Sequence, residues 1–202
     1  MMLSMVTRMT MHGKNTFYHN CKKIIIYFQP KKIKSKLETL FGKSKISTST
    51  KSTLTLSNKW DKRYLSLAKS VSEWSKDPSR KIGAVAVSSK GQVLCTGYNG
   101  FPRGIDDSLT RYYDRELKYK LVVHAEMNAI FNATYNGVSL DGATMYVYGL
   151  PVCSDCAKGL IQVGIKRVVM QMHGEVLDRW KESWELTSQL FTEAGIEWEF
   201  IK

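Results

Sequence analysis

The sequence predicts an α/β protein of three layers, a mixed five-stranded sheet with helices on both faces. Two observations carry this. Five short runs rich in β-branched and aromatic residues read as strands, with helical spacing between them from residue 60 onward. Their order is a helix, two strands, then helix and strand in alternation, with Gly or Pro at the joins.

Each element has a local reason. In "KWDKRYLSLAKSVSEWSK" the residues Trp60, Tyr64, Leu65, Leu67, Ala68, Val71 and Trp74 recur at mostly helical spacing, and Asp77-Pro78 is expected to end that helix. "KIGAVAVSS" and "QVLCTGYNG" read as strands joined by a turn at Lys90-Gly91. A Gly/Pro loop, "GYNGFPRGIDD", and a polar, charged segment over 106–120 follow. A helix is predicted from about His124 to Asn136, closed by Gly137. "ATMYVYGL" is a strand, "CSDCAKGLIQVG" a helix with Gly164 at its end, and "KRVVMQ" a strand. "VLDRWKESWELTSQLFTEAG" is an amphipathic helix and "IEWEFI" the last strand. There is no internal repeat.

The charge is uneven. The net charge of the 202 residues is +12, but residues 1–58 hold eleven Lys and Arg against the single acid Glu38, and residues 59–202 hold nineteen against seventeen acids. The chain therefore divides into a basic Ser/Thr/Lys-rich arm, 1–57, and a near-neutral domain, 58–202. A flexible arm and an organelle-targeting segment are the two main readings of 1–57; a nucleic-acid- or membrane-binding arm is a third. Cytoplasmic placement is the expectation, with targeting by the arm as the rival. The near-neutral domain argues against a broad nucleic-acid face. The longest obvious apolar run, Ile24 to Phe28, is far shorter than the roughly 20 residues of a membrane span, so no membrane partner is expected.

Chemistry concentrates at two helix starts. His124 and Glu126 open one helix; Cys153 and Cys156 open the next. One His and two Cys form a donor set suited to catalytic zinc, which leaves a fourth position for water. The positive end of a helix favours thiolates. Glu126 is two residues beyond His124, placed to move protons rather than to ligate. Apart, the pieces are weak. H-A-E is common at helix turns, and C-x-x-C also serves as a dithiol or as half of a structural zinc site closed by Cys95, His173 or Cys21. H-x-E, a strand, then C-x-x-C opening a helix is the signature of zinc deaminases.

From about Trp60 to Lys202 the chain resembles the deoxycytidylate (dCMP) deaminases of the cytidine-deaminase-like superfamily. The resemblance rests on "DPSRKIGAVAV", "GYNGFPRGIDD", "HAEMNAI", "DGATMYVYGLPVCSDCAKGLIQVGIKRVV" and the closing "AGI". It implies the cytidine-deaminase-like fold and hydrolysis of dCMP to dUMP and ammonia, which supplies thymidylate synthesis. It implies zinc held by His124, Cys153 and Cys156, with Glu126 as proton shuttle. Asn99 is expected at the sugar or phosphate, the Ala125 backbone at the pyrimidine, and Tyr148 beside the base. Arg115 and then Lys118 are the expected phosphate cations. The family pattern further implies a homohexamer and dCTP or dTTP as effectors, with Mg2+, at Gly100, Arg103, Asp106 and Asp107. Trp180, Trp184 and Leu186 fit either an oligomer contact or a core face. The competing functions are deamination of dCTP or of an RNA base, and a non-enzymatic zinc module. One departure stands out. Leu150-Pro151-Val152-Cys153 has one residue more than the usual Pro-Cys, which leaves open which carbonyl receives the departing amine.

Overall fold

The computed structural model describes residues 51–173 and 180–201. The expectations for most of the basic arm, and for the start of the last amphipathic helix, lie outside them. Among the described residues no helix is long and apolar enough to cross a membrane.

Helix α1, Lys51–Ser72, is followed by strands β1, Gly83–Val87, and β2, Val93–Tyr98. Two short helices, α2, Leu109–Tyr113, and α3, Arg115–Leu121, occupy the charged segment. Then come α4, Ala125–Tyr135; β3, Thr144–Gly149; α5, Ser154–Gln162; β4, Arg167–Met172; α6, Lys181–Glu193; and β5, Glu197–Phe200. The sheet order is β2-β1-β3-β4-β5. β1 is antiparallel to both β2 and β3, whereas β3, β4 and β5 run parallel. This is the mixed five-stranded sheet expected: a hairpin leaves its strands antiparallel, and helical crossovers return the chain in parallel.

Strand alternation sorts the two cores. Ala84, Ala86, Met145, Val147, Val168 and Met170 face α4, α5 and α6, which contribute Ala125, Ala129, Ile130, Cys156, Leu160 and Phe191. Val85, Val87, Tyr146, Tyr148 and Val169 face α1, which contributes Leu65, Ala68 and Val71. The sheet is thus covered on both faces. α1 is also anchored by charge. Buried Asp61 accepts two bonds from Arg167 of β4, both 2.8 Å, and one from the Tyr146 hydroxyl of β3 at 2.7 Å.

α1 differs from its prediction at both ends. It begins at Lys51, inside the Ser/Thr/Lys tract assigned to the arm, where no Gly or Pro interrupts the chain between Gly42 and Pro78. It ends at Ser72, five residues before Asp77, which serves a different purpose described below. Trp60, Leu67 and Trp74 are exposed rather than part of the buried stripe. Two glycines let helices lie close to the sheet. A Cβ on Gly83 would meet the α1 backbone, 2.0 Å from the Ala68 carbonyl oxygen, and one on Gly97 would meet the α4 backbone.

Candidate active site

The site forms where β3 ends, β2 ends and β1 begins, so three loops meet at one edge of the sheet. His124 is the N-cap of α4 and Cys153 the N-cap of α5. An isolated bridge between Gly100 and Val123 fixes the approach to α4. After β3, Gly149 takes a positive φ of 121°, turning the chain toward Cys153. Cys156 lies in the first turn of α5, and the Cys153 sulfur accepts its amide hydrogen at 3.5 Å.

These placements bring three donor atoms together. His124 Nδ1 lies 3.3 Å from Cys153 Sγ and 3.4 Å from Cys156 Sγ, and all three atoms fall within 4.8 Å of one another. Ligands of one tetrahedral zinc, at about 2.0–2.3 Å from the ion, are roughly 3.5 Å apart. The set therefore fits zinc in both chemistry and spacing. Electrostatics agree. The hydrogen bond with Cys156 pulls the Cys153 thiol down to about 4 against its burial, and His124 reinforces the shift. His124 is raised to about 9, first by its bond with Cys153. Cys156 is pushed up by the neighbouring Cys153 sulfur and by burial. The lowered Cys153 thiol favours the thiolate, the form in which cysteine binds metal.

Glu126, in the first turn of α4, is buried beside this set. Burial raises its carboxyl to about 7, with His124 opposing the shift. A carboxyl balanced near neutrality can take up and release protons in turn.

A cavity of about 340 Å³ opens over these groups. His124, Ala125, Glu126 and Cys153 line one side; Asp77, Ser79, Arg80, Ile82 and Asn99 line another. Leu150, Pro151, Tyr112, Tyr113, Arg115, Lys118, Tyr119, Val122 and Trp180 complete it. Its volume lies at the small end of the range for small-molecule sites. Asn99, Ala125, Arg115 and Lys118, all named from sequence, therefore lie at one pocket.

One expected residue lies elsewhere, and the surroundings of the others are as follows. Tyr148 does not line this cavity: it packs against the α1 face of the sheet, with the Lys69 ammonium over its ring. Strand alternation put it there, since its neighbour Val147 takes the site-side face. Lys118 is buried and paired with Asp77 at 2.7 Å, so its charge is already matched. Asn99 is buried, with its side chain bonded to Asp77, Arg80 and Ile82. Gly100, Arg103, Asp106 and Asp107 are not among the lining residues. Arg103 bonds Asn132 and lies over the Tyr135 ring; Asp106 pairs with Arg111 and Asp107 with Lys76. Trp184 packs with Trp198 and Phe200, Leu186 is exposed, and Trp180 borders the pocket. The extra residue Val152 is turned into the core, and its carbonyl accepts the Thr187 hydroxyl at 3.0 Å. Leu150 and Pro151 remain at the pocket. Sequence reasoning assigned no role to Arg80 or Ser79. The available signal was Asp-Pro-Ser, an aspartate whose side chain bonds the backbone two residues on.

A mixed sheet that sets an H-x-E helix start against a C-x-x-C helix start defines the zinc deaminase class. The comparisons narrow it. Residues 58–172 match the cytidine and deoxycytidylate deaminase zinc-binding region, and the chain belongs to that family. It is 38% identical over 141 residues to an uncharacterized deaminase in the luxG 3′ region of Aliivibrio fischeri, covering 69% of this chain and 92% of that one. It is 36% identical over 144 residues to the human deoxycytidylate deaminase, covering 68% and 76% respectively. Its structure is similar to that of the dCMP deaminase of cyanophage S-TIM5 in complex with dCMP and dUMP, with a TM-score of 0.55 and 25% identity over 71% of this chain and 97% of that one.

Proposed function

We propose that the chain is a zinc-dependent deaminase that converts dCMP and water to dUMP and ammonia. The observation that carries this is the buried Glu126 carboxyl beside the His124, Cys153 and Cys156 donors, in a pocket of small-molecule size. The human relative is named for this activity, and the cyanophage structure holds both substrate and product.

His124, Cys153 and Cys156 would hold the ion. Zinc bound there supplies Lewis acidity, which makes a water nucleophilic near neutral pH. Glu126 takes a proton from the attacking water as its oxygen bonds to C4 and delivers that proton to ring N3. It then takes the second proton from the new hydroxyl and gives it to the departing amine. C4 keeps the oxygen, N3 keeps its hydrogen, and ammonia leaves. Such acid–base transfer typically contributes about 10²–10⁴-fold. The backbone N–H at Ala125 belongs to the first turn of α4, whose amides have no partner within the helix, and orients the pyrimidine. The carbonyls left to receive the amine are those of Leu150 and Pro151, since that of Val152 is engaged by Thr187.

The same reading includes a near-neutral domain over residues 58–202, one zinc per subunit, a homohexamer, and dCTP or dTTP effectors with Mg2+ at the 100–107 loop. An effector there would displace Lys76 from Asp107, an exposed pair that solvent screens. Ammonia release from dCMP by zinc-loaded protein tests the reading. Turnover that is lost in Glu126→Gln with zinc content unchanged is the expected result. Zinc binding without turnover of any cytosine nucleotide would reject it.

A further inference from the structure

Buried side chains hold the backbone of Arg80 at both of its hydrogen-bonding groups. Asp77 Oδ1 accepts the amide hydrogens of Ser79, at 2.8 Å, and Arg80, at 3.3 Å. Asn99 Nδ2 donates to the Arg80 carbonyl at 2.9 Å and to Asp77 Oδ2 at 3.2 Å. Asn99 Oδ1 accepts the Ile82 amide hydrogen at 2.8 Å, just before β1 begins. Lys118 Nζ lies 2.7 Å from Asp77 Oδ1. Asp77, Asn99 and Lys118 are 3%, 5% and 9% exposed, so this is an interior polar cluster rather than a solvated loop. A buried carboxylate needs a partner charge, and Lys118 provides it.

Both amide hydrogens of Asn99 are engaged within the protein, as is the charge of Lys118. Arg80, in contrast, lines the cavity, and among the described residues its guanidinium makes one hydrogen bond, from Nη1 to the His173 carbonyl at 3.3 Å. No carboxylate pairs with it among the described residues. A guanidinium has five N–H donors in a planar fork that matches phosphate, and four of them have no partner among the described residues. Arg115, the other arginine at the cavity, is exposed and lies over the Tyr119 ring.

We propose that Arg80 receives the 5′-phosphate of the nucleotide, and that Asp77 and Asn99 are positioning residues acting through Arg80, with Lys118 balancing the charge of Asp77. The proposal rests on the deaminase reading above, and it makes 5′-phosphorylated nucleosides, rather than free nucleosides, the ligands this pocket prefers. Clamping the Arg80 peptide at its N–H and its C=O fixes the origin of a long side chain, which lowers the cost of ordering it on phosphate.

The test measures dissociation constants of zinc-loaded protein for dUMP and for deoxyuridine, which differ only in the phosphate. The ratio of the two reports phosphate recognition and cancels effects on the base site. In Arg80→Ala, a substitution at a partly exposed position, the preference for dUMP is expected to fall roughly 10–100-fold, the range of a charge-assisted hydrogen bond. Asn99→Ala is expected to lower it less in the native background and not at all in the Arg80→Ala background, because its effect passes through Arg80. A preference unchanged in Arg80→Ala, or no preference in the native protein, overturns the assignment. An equal effect of Asn99→Ala in both backgrounds overturns the positioning role. Ammonia release from dCMP is measured on the same native protein. A silent protein with Arg80-dependent binding removes the reaction and leaves the assignment standing; an active one with Arg80-independent binding does the reverse.

Discussion

Replacing Gly97 with alanine tests whether the close approach of α4 to the sheet positions the chemistry. A Cβ on Gly97 would stand 2.3 Å from the Ala125 carbonyl oxygen, 2.3 Å from the Ala129 amide nitrogen and 2.9 Å from the Ala129 Cα. Ordinary contact begins near 3.4 Å, so α4 would have to retreat by about 1 Å. The obstacle is backbone, so no side chain can rotate aside. α4 carries His124 at its cap and Glu126 in its first turn, so both move with it. A displacement of about 1 Å at reacting groups costs on the order of 10²-fold in rate. Overpacking costs about 1–3 kcal/mol, which in a domain of this size lowers Tm by roughly 3–10 °C. Thermal melting and ammonia release from dCMP, run on the same zinc-loaded preparations, read both effects. Gly100→Ala is the stability control, because the nearest atoms to its Cβ are side-chain atoms 3.7 Å away; its stability is expected to stay within about 0.5 kcal/mol of the native protein. A Gly97→Ala protein that melts and turns over like the native one would refute the argument that this spacing sets the site.

Three further outcomes are expected. Cys153→Ala removes a ligand whose binding is coupled to folding, so zinc measured by elemental analysis falls well below one equivalent and Tm drops; full zinc retention would count against the ligand set. At Asp61, burial would raise the carboxyl, but the Arg167 and Tyr146 hydrogen bonds bring it below its ordinary value. A folded pKa below the unfolded one means that the unfolded chain takes up more protons in acid. This stabilisation is therefore complete above about pH 4 and is lost below it. Because Arg167 keeps Glu199 as a partner, Asp61→Asn is expected to cost about 1–3 kcal/mol at pH 7, and its urea midpoint should fall less than that of the native protein between pH 5 and pH 3. Deleting residues 1–50, which stops short of α1, should leave kcat on dCMP unchanged; a collapse in kcat would show that the arm completes the site.

How far the sequence could be read depended on whether a feature was local. The strands and the helix starts were legible because alternation, caps and Gly or Pro punctuation act over a few residues. His124 and Cys153 come together because each caps a helix at the same edge of the sheet, and H-x-E followed by C-x-x-C marks both caps. Features that depend on partners distant in the chain were not legible. Lys118 looked like a free cation in a charged segment until the fold brought it to Asp77, 41 residues earlier. Asp77-Pro78 read as a helix stop, whereas its carboxylate organises the loop that presents Arg80. Tyr148 was carried to the base by resemblance, although its place in an alternating strand already argued for the opposite face. Trp60 and Trp74 fitted helical spacing, yet hydrophobic spacing alone does not show where a buried stripe ends. The role of Val152 depended on Thr187 of α6, 35 residues away.

The most direct test of the central claim is ammonia release from dCMP by the zinc-loaded native protein and by Glu126→Gln, with zinc content measured in both. The account predicts steady turnover to dUMP by the native protein and a loss of about 10²–10⁴-fold in the variant at equal zinc. Equal turnover by the two proteins, or none by either at full zinc, would contradict it.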